Sequence, residues 1–328
     1  MPYLRRQLTT DEYVHGVLSG DRAILGRAIT LVESDAPQHT TQAQDVLRQL
    51  LPHSGRSIRI GITGVPGVGK STLIETLGTQ LCENGQRLAV LTVDPSSSRT
   101  HGSILGDKTR MERLSRMQNA FIRSSPTGGA LGGVTRKTRE SIIVCEAAGF
   151  EIILVETVGV GQSEIAVHDM TDCFVLLALS GAGDELQALK KGVVELADLI
   201  VITKADGPNR EQILAARADY LQALRYLAPA TTNWRVPVLI SSARTGEGID
   251  ALWAAIEEYR MLGETTGTIV SRRQSQATSW FEALLAEALQ RHFYQNPQVA
   301  ERLPHLRQAI IRGEIPVVHA VEELLKLV

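Results

Sequence analysis

Residues 64–72 read GVPGVGKST, and this stretch determines how the surrounding chain is expected to fold. It matches the pattern G-x-x-x-x-G-K-[ST], whose glycines let backbone N–H groups converge on phosphate oxygens. An apolar run precedes it and a helical pattern follows it, which is the context that such a loop requires. We expect Lys70 to reach the β- and γ-phosphates and Ser71 to bind Mg²⁺. The predicted phosphate-binding loop, called the P-loop below, consists of Gly64, Val65, Pro66, Gly67, Val68, Gly69, Lys70, Ser71 and Thr72.

Seven short apolar runs alternate with helical patterns on either side of this loop. They are continuous rather than alternating, which is typical of parallel strands covered by helices on both faces. The sequence therefore predicts an α/β fold with a doubly wound, mostly parallel sheet. The runs are IRIGIT (58–63), LAVLTV (88–93), AFIR (120–123), EIILVE (151–156), CFVLLAL (173–179), LIVIT (199–203) and VPVLIS (236–241).

A carboxylate ends the fourth run. The segment ILVETVGVGQSE spans residues 153–164, with Glu156 directly after the apolar residues. Because parallel strands place their ligand-binding ends at one edge of a sheet, we expect Glu156 at the Mg²⁺ shell, directly or through water. Gly159 completes a D/E-x-x-G pattern, whose glycine N–H can sense a γ-phosphate. The alternative for Glu156 is a solvent-exposed glutamate at the end of a strand.

Two further acids and an arginine follow the second run, in VDPSSSRTHGSILGDKTRM (93–111). Asp94 and Asp107 are candidates to hold Mg²⁺ or its waters, and Arg110 is a candidate to neutralise phosphate charge. The Ser, Thr and Gly between them are typical of loops that respond to a γ-phosphate. The alternatives are helix caps or turn residues for the two acids and a solvated side chain for the arginine.

The segment LIVITKAD (199–206) ends in a guanine-reading pattern, [N/T]-K-x-D. Asp206 can accept two hydrogen bonds from guanine, and adenine has no donors in that place. The stem of Lys204 can pack over the base, while Thr203 stands where Asn is usual. Ser241, Ser242 and Ala243 resemble a second base-contacting loop. We therefore expect GTP rather than ATP; the alternative is an ordinary strand-to-helix turn.

Composition excludes several function classes. The 328-residue chain has a formal net charge of −2 and 4% aromatic residues, which gives no support for a nucleic-acid or membrane partner. No apolar run approaches the roughly 20 residues of a membrane helix. The three cysteines, Cys82, Cys145 and Cys173, form no CxxC pair, and the N-terminus has no signal-peptide pattern. We expect buried thiols and a cytoplasmic location.

Several longer motifs carry a family resemblance. GVPGVGKST, VDPSSSRTHGSILGDKTRM, RSSPTGGALGG, VETVGVGQSE and SGAGDELQALKKG resemble the MeaB/ArgK-type P-loop GTPases, bacterial relatives of the human methylmalonic aciduria type A protein. The similarity covers most of residues 10–328. It implies that Lys70, Ser71, Asp94, Asp107 and Glu156 carry the nucleotide–Mg²⁺ site.

The resemblance also implies a function and partners. Members of this family are GTPase metallochaperones that hydrolyse GTP to GDP and phosphate. They gate adenosylcobalamin delivery to an acyl-CoA mutase and protect or reactivate it. Methylmalonyl-CoA mutase or a close relative is the expected client. We expect a homodimer, Mg²⁺ with bound GTP or GDP, and no cobalamin bound by this chain itself.

Val160 follows Gly159 at the position where Ras-type GTPases carry a Gln that orients the attacking water. Its aliphatic side chain can neither donate nor accept a hydrogen bond. We therefore expect the protein alone to hydrolyse GTP slowly and a partner to accelerate hydrolysis. By resemblance, residues 181–192 form an extra switch loop. Its polar residues Gln187 and Lys190 are the preferred catalytic donors, and Asp184 is a candidate to orient them.

Helical patterns flank the predicted sheet. Asp21 is expected to cap a helix that carries Ile24, Leu25, Ala28 and Leu31, and a second helix is expected over residues 41–51. A polar TTGT segment after Gly263 is expected to be a hinge before a helical tail. We expect an N-terminal helical extension (1–55), a P-loop GTPase domain (56–262) and a C-terminal helical dimerisation arm (263–328).

Two other functions compete with this interpretation. A nickel-insertion GTPase usually carries clustered His or Cys ligands, whereas the eight histidines here are scattered. A small-molecule or protein kinase needs a base beside an acceptor hydroxyl, and no such motif is apparent.

Overall fold

The seven predicted apolar runs form one parallel sheet. The computed structural model describes residues 7–94, 111–126, 131–157, 163–180, 191–208 and 210–328. Within them the strand order is β3-β2-β4-β1-β5-β6-β7, and every pairing is parallel. The predicted doubly wound α/β fold is confirmed. The strands are β1 (Ile58–Gly64), β2 (Leu88–Asp94), β3 (Ala120–Pro126), β4 (Ile152–Thr157), β5 (Cys173–Ala178), β6 (Leu199–Ile202) and β7 (Val238–Ile240).

Helices connect these strands and also precede and follow them along the chain. Those of the N-terminal half are α1 (Thr10–Leu18), α2 (Arg22–Val32), α3 (Pro37–Leu50), α4 (Lys70–Glu83), α5 (Glu112–Arg116) and α6 (Leu131–Ala147). Those of the C-terminal half are α7 (Ser163–His168), α8 (Lys191–Leu196), α9 (Arg210–Ala223), α10 (Ile249–Thr266), α11 (Thr268–Gln295), α12 (Pro297–Ile311) and α13 (Val317–Leu325). Short 3₁₀ turns lie at Leu51–His53 and Leu224–Tyr226.

The N-terminal helices begin at residues that stabilise free backbone N–H groups. The Asp21 carboxylate accepts from the N–H groups of Ala23 and Ile24, so the predicted cap is confirmed. The helix expected over residues 41–51 instead begins at Pro37 and ends at Leu50. Its first turn is polar, so no apolar residues at helical spacing indicate where the helix begins. Proline suits the first helical position because no N–H partner is needed there.

Two hydrophobic clusters cover the two faces of the sheet. One contains residues of β1, β5 and β6 together with apolar side chains of α4, α9 and α10. The other contains residues of β2 and β4 together with α1, α2, α3 and α6. Polar pairs support the second cluster, since Arg123 binds Glu33 and Lys137 binds Asp35. The N-terminal helices are therefore part of the main core.

The chain divides by its internal contacts into Met1–Val270 and Ser271–Val328. The second unit has a small core of its own, formed by Val299, Leu306, Ala320 and Leu324. No helix of the described residues is long and apolar enough to cross a membrane.

The TTGT segment that was expected to be a hinge is helical on both sides of Gly267. Helix α10 continues past Gly263 to Thr266, and only Gly267, with φ 73°, interrupts the helical course. The hydroxyls of Thr265 and Thr266 donate to the carbonyls of Met261 and Leu262, which keeps both threonines inside the helix.

Candidate nucleotide-binding site

The P-loop lies between β1 and α4 at the carboxyl edge of the sheet. Two of its glycines are required by the backbone. At Gly64, with φ 148°, an added Cβ would lie 2.5 Å from the carbonyl oxygen of Leu177 on β5. Gly69 precedes α4 with φ 105°, a left-handed conformation that side chains disfavour. The loop can therefore turn tightly and present the N-terminus of α4 to an anion.

Lys70 is buried within the loop that it belongs to. Its side chain is folded back so that Nζ donates to the carbonyl oxygens of Gly64 at 2.8 Å and Val65 at 3.2 Å. Burial lowers the pKa of Lys70, while the carboxylates of Glu156 and Glu164 act in the opposite direction. The ammonium group is thus held by neutral carbonyls, which phosphate oxygens can replace with stronger, charge-assisted bonds.

Glu156 lies beside the P-loop because β1 and β4 are neighbours, with Ile62 paired to Glu156. Its side chain is 7% exposed, so it is not a solvent-exposed glutamate at the end of a strand. The Ser71 hydroxyl donates to Oε1 of Glu156 at 2.8 Å. The structure therefore brings together the serine and the carboxylate that the sequence predicted as Mg²⁺ ligands.

This pair fits a magnesium ion. Mg²⁺ prefers hard oxygen ligands and usually takes one or two from protein, the remainder coming from water and phosphates. Ser71 and Glu156 supply such oxygens at the phosphate end of the loop. Among the described residues there is no group of three or more His, Cys, Asp or Glu that could hold a metal ion on its own.

Thr203 connects the predicted base-reading segment to the P-loop. Its buried hydroxyl lies 2.7 Å from the carbonyl oxygen of Val68 and 3.2 Å from that of Ala178 at the end of β5. A hydroxyl has one hydrogen to donate. The Thr203 hydroxyl therefore donates its hydrogen to the P-loop backbone. The sequence had instead predicted that Thr203 contacts the base.

Asp206 lies at the other end of this segment, after Lys204, whose backbone is left-handed with φ 60°. Oδ1 of Asp206 accepts from the Ser242 hydroxyl at 2.8 Å, and Arg244 lies 3.8 Å from Oδ2. The hydrogen bond from Ser242 is the largest cause that lowers the pKa of Asp206, with Arg244 acting in the same direction. The carboxylate is therefore kept ionised, as an acceptor for guanine must be.

The second predicted base loop lies beside the first. The backbone N–H of Ser241 donates to the carbonyl oxygen of Ile202, and the N–H of Ala205 donates to the carbonyl oxygen of Ser241. The Thr76 hydroxyl of α4 donates to the carbonyl oxygen of Ala243 at 2.8 Å. Side-chain hydrogen bonds thus link the P-loop helix and both predicted base loops.

Several predicted site residues have no described side chain. Asp94 ends β2, paired through its backbone with Pro126, but its side chain lies outside the description. The others lie outside the described residues: Asp107, Arg110, Gly159, Val160, Asp184, Gln187 and Lys190.

Two residues near the site were missed from the sequence. Arg244 follows the predicted second base loop, and its proximity to Asp206 depends on the packing of that loop. Glu164 lies in the first turn of α7 and is 8% exposed. In the sequence Glu164 looks like an ordinary acidic residue near a helix start, because burial is a tertiary property.

Comparison with known proteins identifies the family. The family model described as "Methylmalonyl Co-A mutase-associated GTPase MeaB" matches residues 25–298. The chain belongs to the MeaB family. The resemblance seen in the motifs is thereby confirmed, and the protein is a GTPase that binds and hydrolyses a guanine nucleotide.

Similarity to known proteins extends over nearly the whole chain. A protein of Caulobacter vibrioides named as a GTPase is 52% identical over 318 residues, 97% of each chain. The methylmalonic aciduria type A homolog of Mus musculus is 44% identical over 98% of this chain and 80% of its own. The crystal structure of a protein titled LAO/AO transport system kinase shares 34% identity, covers 98% of each chain and gives a TM-score of 0.80.

Proposed function

We propose that this GTPase is a metallochaperone of an adenosylcobalamin-dependent acyl-CoA mutase. Hydrolysis of GTP to GDP and phosphate gates delivery of the cofactor to the mutase and its protection or reactivation. The observation that carries the proposal is the family match over residues 25–298, since that family is associated with methylmalonyl-CoA mutase. The similarity to the mouse methylmalonic aciduria type A homolog supports it. Methylmalonyl-CoA mutase or a close relative is the proposed client.

GTP, GDP and Mg²⁺ are the proposed ligands of the site. The triphosphate binds in the P-loop with Lys70 on its β- and γ-phosphates, and the base binds at Asp206. Ser71 and Glu156 hold Mg²⁺, which when bound neutralises charge on the phosphate oxygens. The Ser71 oxygen keeps lone pairs for a metal while its hydrogen is donated to Glu156. Cobalamin is proposed to remain with the mutase and not to bind this chain.

The partner-dependent catalytic groups are proposed to come from the loops predicted by sequence. Asp94 and Asp107 complete the Mg²⁺ site, and Arg110 neutralises phosphate charge. In the 181–192 loop, Gln187 and Lys190 stabilise the transferring phosphoryl group when the mutase orders the loop. A single well-placed donor is worth about 3 kcal/mol, or roughly a hundredfold in rate.

The C-terminal segment 263–328 is proposed to hold a homodimer. Phe281, Leu285 and Leu289 recur every four residues on α11 and are exposed by 64%, 46% and 61%. Residues with that spacing lie on one face of a helix, and a contiguous exposed apolar face is typical of an interaction site. A second copy of the chain is the proposed occupant.

Single-turnover GTP hydrolysis with and without the acyl-CoA mutase of the same organism tests the proposal. We expect the mutase to bind and to accelerate hydrolysis. Lys190→Ala and Gln187→Ala should remove most of that acceleration at saturating mutase and leave nucleotide affinity unchanged. No binding in any nucleotide state, together with an unchanged rate, would reject the chaperone function. Full acceleration in both variants would reject only the role of the loop.

A kinase is the second candidate, because a structurally similar protein is named as a kinase. A kinase moves the γ-phosphate to an acceptor, whereas a GTPase releases it to water. Incubation with γ-labelled GTP and separation of inorganic phosphate from labelled acceptors distinguishes the two. We expect all label in inorganic phosphate.

A further inference from the structure

Glu164 carries a buried carboxylate for which the site described above has no use. It belongs to the first turn of α7, and its side chain is 8% exposed. Its Oε2 atom is buried and has no hydrogen-bond partner among the described residues. A buried acceptor without a donor costs free energy, so its retention requires a reason.

The helix that carries Glu164 packs beside the strand that leads into the P-loop. Helix α7 packs on β4 and on β1, the strand that leads into the P-loop. Val167, one turn after Glu164, lies against Gly61 of β1, where its Cγ1 would be 2.9 Å from an added Cβ. The negative charge of Glu164 acts on Lys70, as that of Glu156 does. Two carboxylates therefore act to raise the pKa of the lysine that is expected to hold the γ-phosphate.

Among the described residues no group donates to Oε2 of Glu164, and a bound ligand can supply that donor. A carboxylate only accepts hydrogen bonds, and the phosphates of a nucleotide also only accept. The donors of guanine are directed to Asp206, at the other end of the site. The ribose hydroxyls lie on the nucleoside side of the phosphates. The donor that a magnesium nucleotide brings beside the γ-phosphate is water, which can donate to the carboxylate and keep a lone pair for phosphorus or for a metal.

We propose that Glu164 holds a water molecule against the γ-phosphate of bound GTP. This water is either the one that attacks phosphorus or one that is bound to Mg²⁺. The sequence favours the attacking water, because Val160 stands where other GTPases carry a water-orienting Gln and cannot accept a hydrogen bond.

Glu164 orients this water and need not remove its proton. The water oxygen forms a bond to the γ-phosphorus while the bond from phosphorus to the β–γ bridging oxygen breaks. The electron pair of that bond leaves with GDP. One water hydrogen remains on the phosphate product, and the other proton is released to solvent.

A purely electrostatic role for Glu164 predicts effects of the opposite sign. If the carboxylate only balanced the charge of Lys70, its removal would take a negative charge away from the phosphates. GDP and GTP would then both bind more tightly, and hydrolysis of bound GTP would not slow. The two roles are therefore separable in the isolated protein, without the mutase.

The test uses Glu164→Ala and Glu164→Gln in the full chain. Glu211→Gln is the matched control, because Glu211 is also a first-turn glutamate but is exposed on α9. For each variant we measure the rate of single-turnover GTP hydrolysis and the affinities for GDP and GTP. We also measure how both affinities depend on Mg²⁺. We expect Glu164→Ala to slow hydrolysis about 100-fold and Glu164→Gln to slow it less, because an amide oxygen is a weaker acceptor. The control should remain within about twofold.

The Mg²⁺ titration distinguishes the two sources of water. Slower hydrolysis with unchanged Mg²⁺ dependence identifies the attacking water. A weaker effect of Mg²⁺ on nucleotide affinity identifies a metal-bound water, and both outcomes support the proposal. Tighter binding of GDP and GTP with an unchanged hydrolysis rate in both variants would overturn it. The Gln variant keeps the shape of the side chain, so a folding failure of the Ala variant would not prevent the test.

Discussion

At the residue scale, the positions of Lys70 and Asp206 separate phosphate binding from base recognition. Lys70 rests on the carbonyls of its own loop, and Asp206 is held by Ser242 at the opposite end of the site. Phosphate contacts serve every nucleoside triphosphate equally, whereas the carboxylate distinguishes guanine from adenine. Changes at these two residues should therefore have different effects.

Lys70→Ala should weaken both GDP and GTP binding by at least about 100-fold, or ~2.7 kcal/mol. The reason is the loss of the only charge-assisted donor of the P-loop itself. The melting temperature should change little, because burying an ammonium group has a cost of its own. Calorimetric titration measures the affinity, with exposed Lys326→Ala as the control. Unchanged affinity would remove the assignment of this loop as the phosphate site.

Asp206→Asn should erode a preference for GTP over ATP that we expect to be at least about tenfold, or ~1.4 kcal/mol. An amide presents a donor where the carboxylate presented only acceptors, so guanine loses partners that adenine never had. Competition between GTP and ATP for the site measures the ratio, with exposed Asp219→Asn as the control. If the native protein bound both nucleotides equally, the base-reading role of Asp206 would be wrong.

At the scale of secondary-structure elements, the link between Thr203 and Val68 couples the end of β6 to the P-loop. Thr203→Val removes the hydroxyl and leaves the Val68 carbonyl without that donor, which should cost about 1–3 kcal/mol. We expect affinity for GDP and for ADP to fall by the same factor, because the hydroxyl supports the loop and not the base. Thr203→Ser retains the donor and should bind both normally. A loss confined to GDP would place Thr203 on the base instead.

Most strands were predictable because each is a continuous apolar run with a turn on either side. The start of α3 could not be predicted from the spacing of apolar residues, because its first turn is polar. The helical conformation of Thr265 and Thr266 depends on hydrogen bonds from their side chains to backbone carbonyls one turn earlier. The predicted burial of the three cysteines is confirmed. Elements were therefore predicted well, and the residues at their ends less well.

The arrangement of the site was only partly predictable. Motifs indicated the P-loop, Glu156 and Asp206, because each has a fixed spacing from a strand. The bond from Thr203 to Val68 spans 135 residues, and no local pattern encodes it. The burial of Glu164 likewise depends on how α7 packs against β1 and β4. Contacts between distant segments require the assembled sheet.

At the scale of the whole molecule, the exposed apolar face of α11 predicts the oligomeric state. Replacing Phe281, Leu285 and Leu289 together by Glu should convert a dimer into monomers, because charges on that face oppose its burial. Light scattering on the full chain measures the mass. Tyr226→Glu is the control, since Tyr226 is 82% exposed and lies outside the arm. A native chain that is already monomeric, or an unchanged dimer in the variant, would contradict the proposed interface.

The inclusion of α1, α2 and α3 in the main core has a consequence for synthesis of the protein. These helices leave the ribosome well before several of their partners. Gln44 bonds Glu140, and Asp35 binds Lys137, across 96 and 102 residues. At about 5–20 residues per second, roughly ten seconds pass before those partners emerge. During that interval the three helices can pack on one another, but the apolar surface that they turn to α6 remains uncovered. The nascent chain should therefore depend on holding chaperones most strongly before α6 has been translated, and a stall in that window should be the most prone to aggregation.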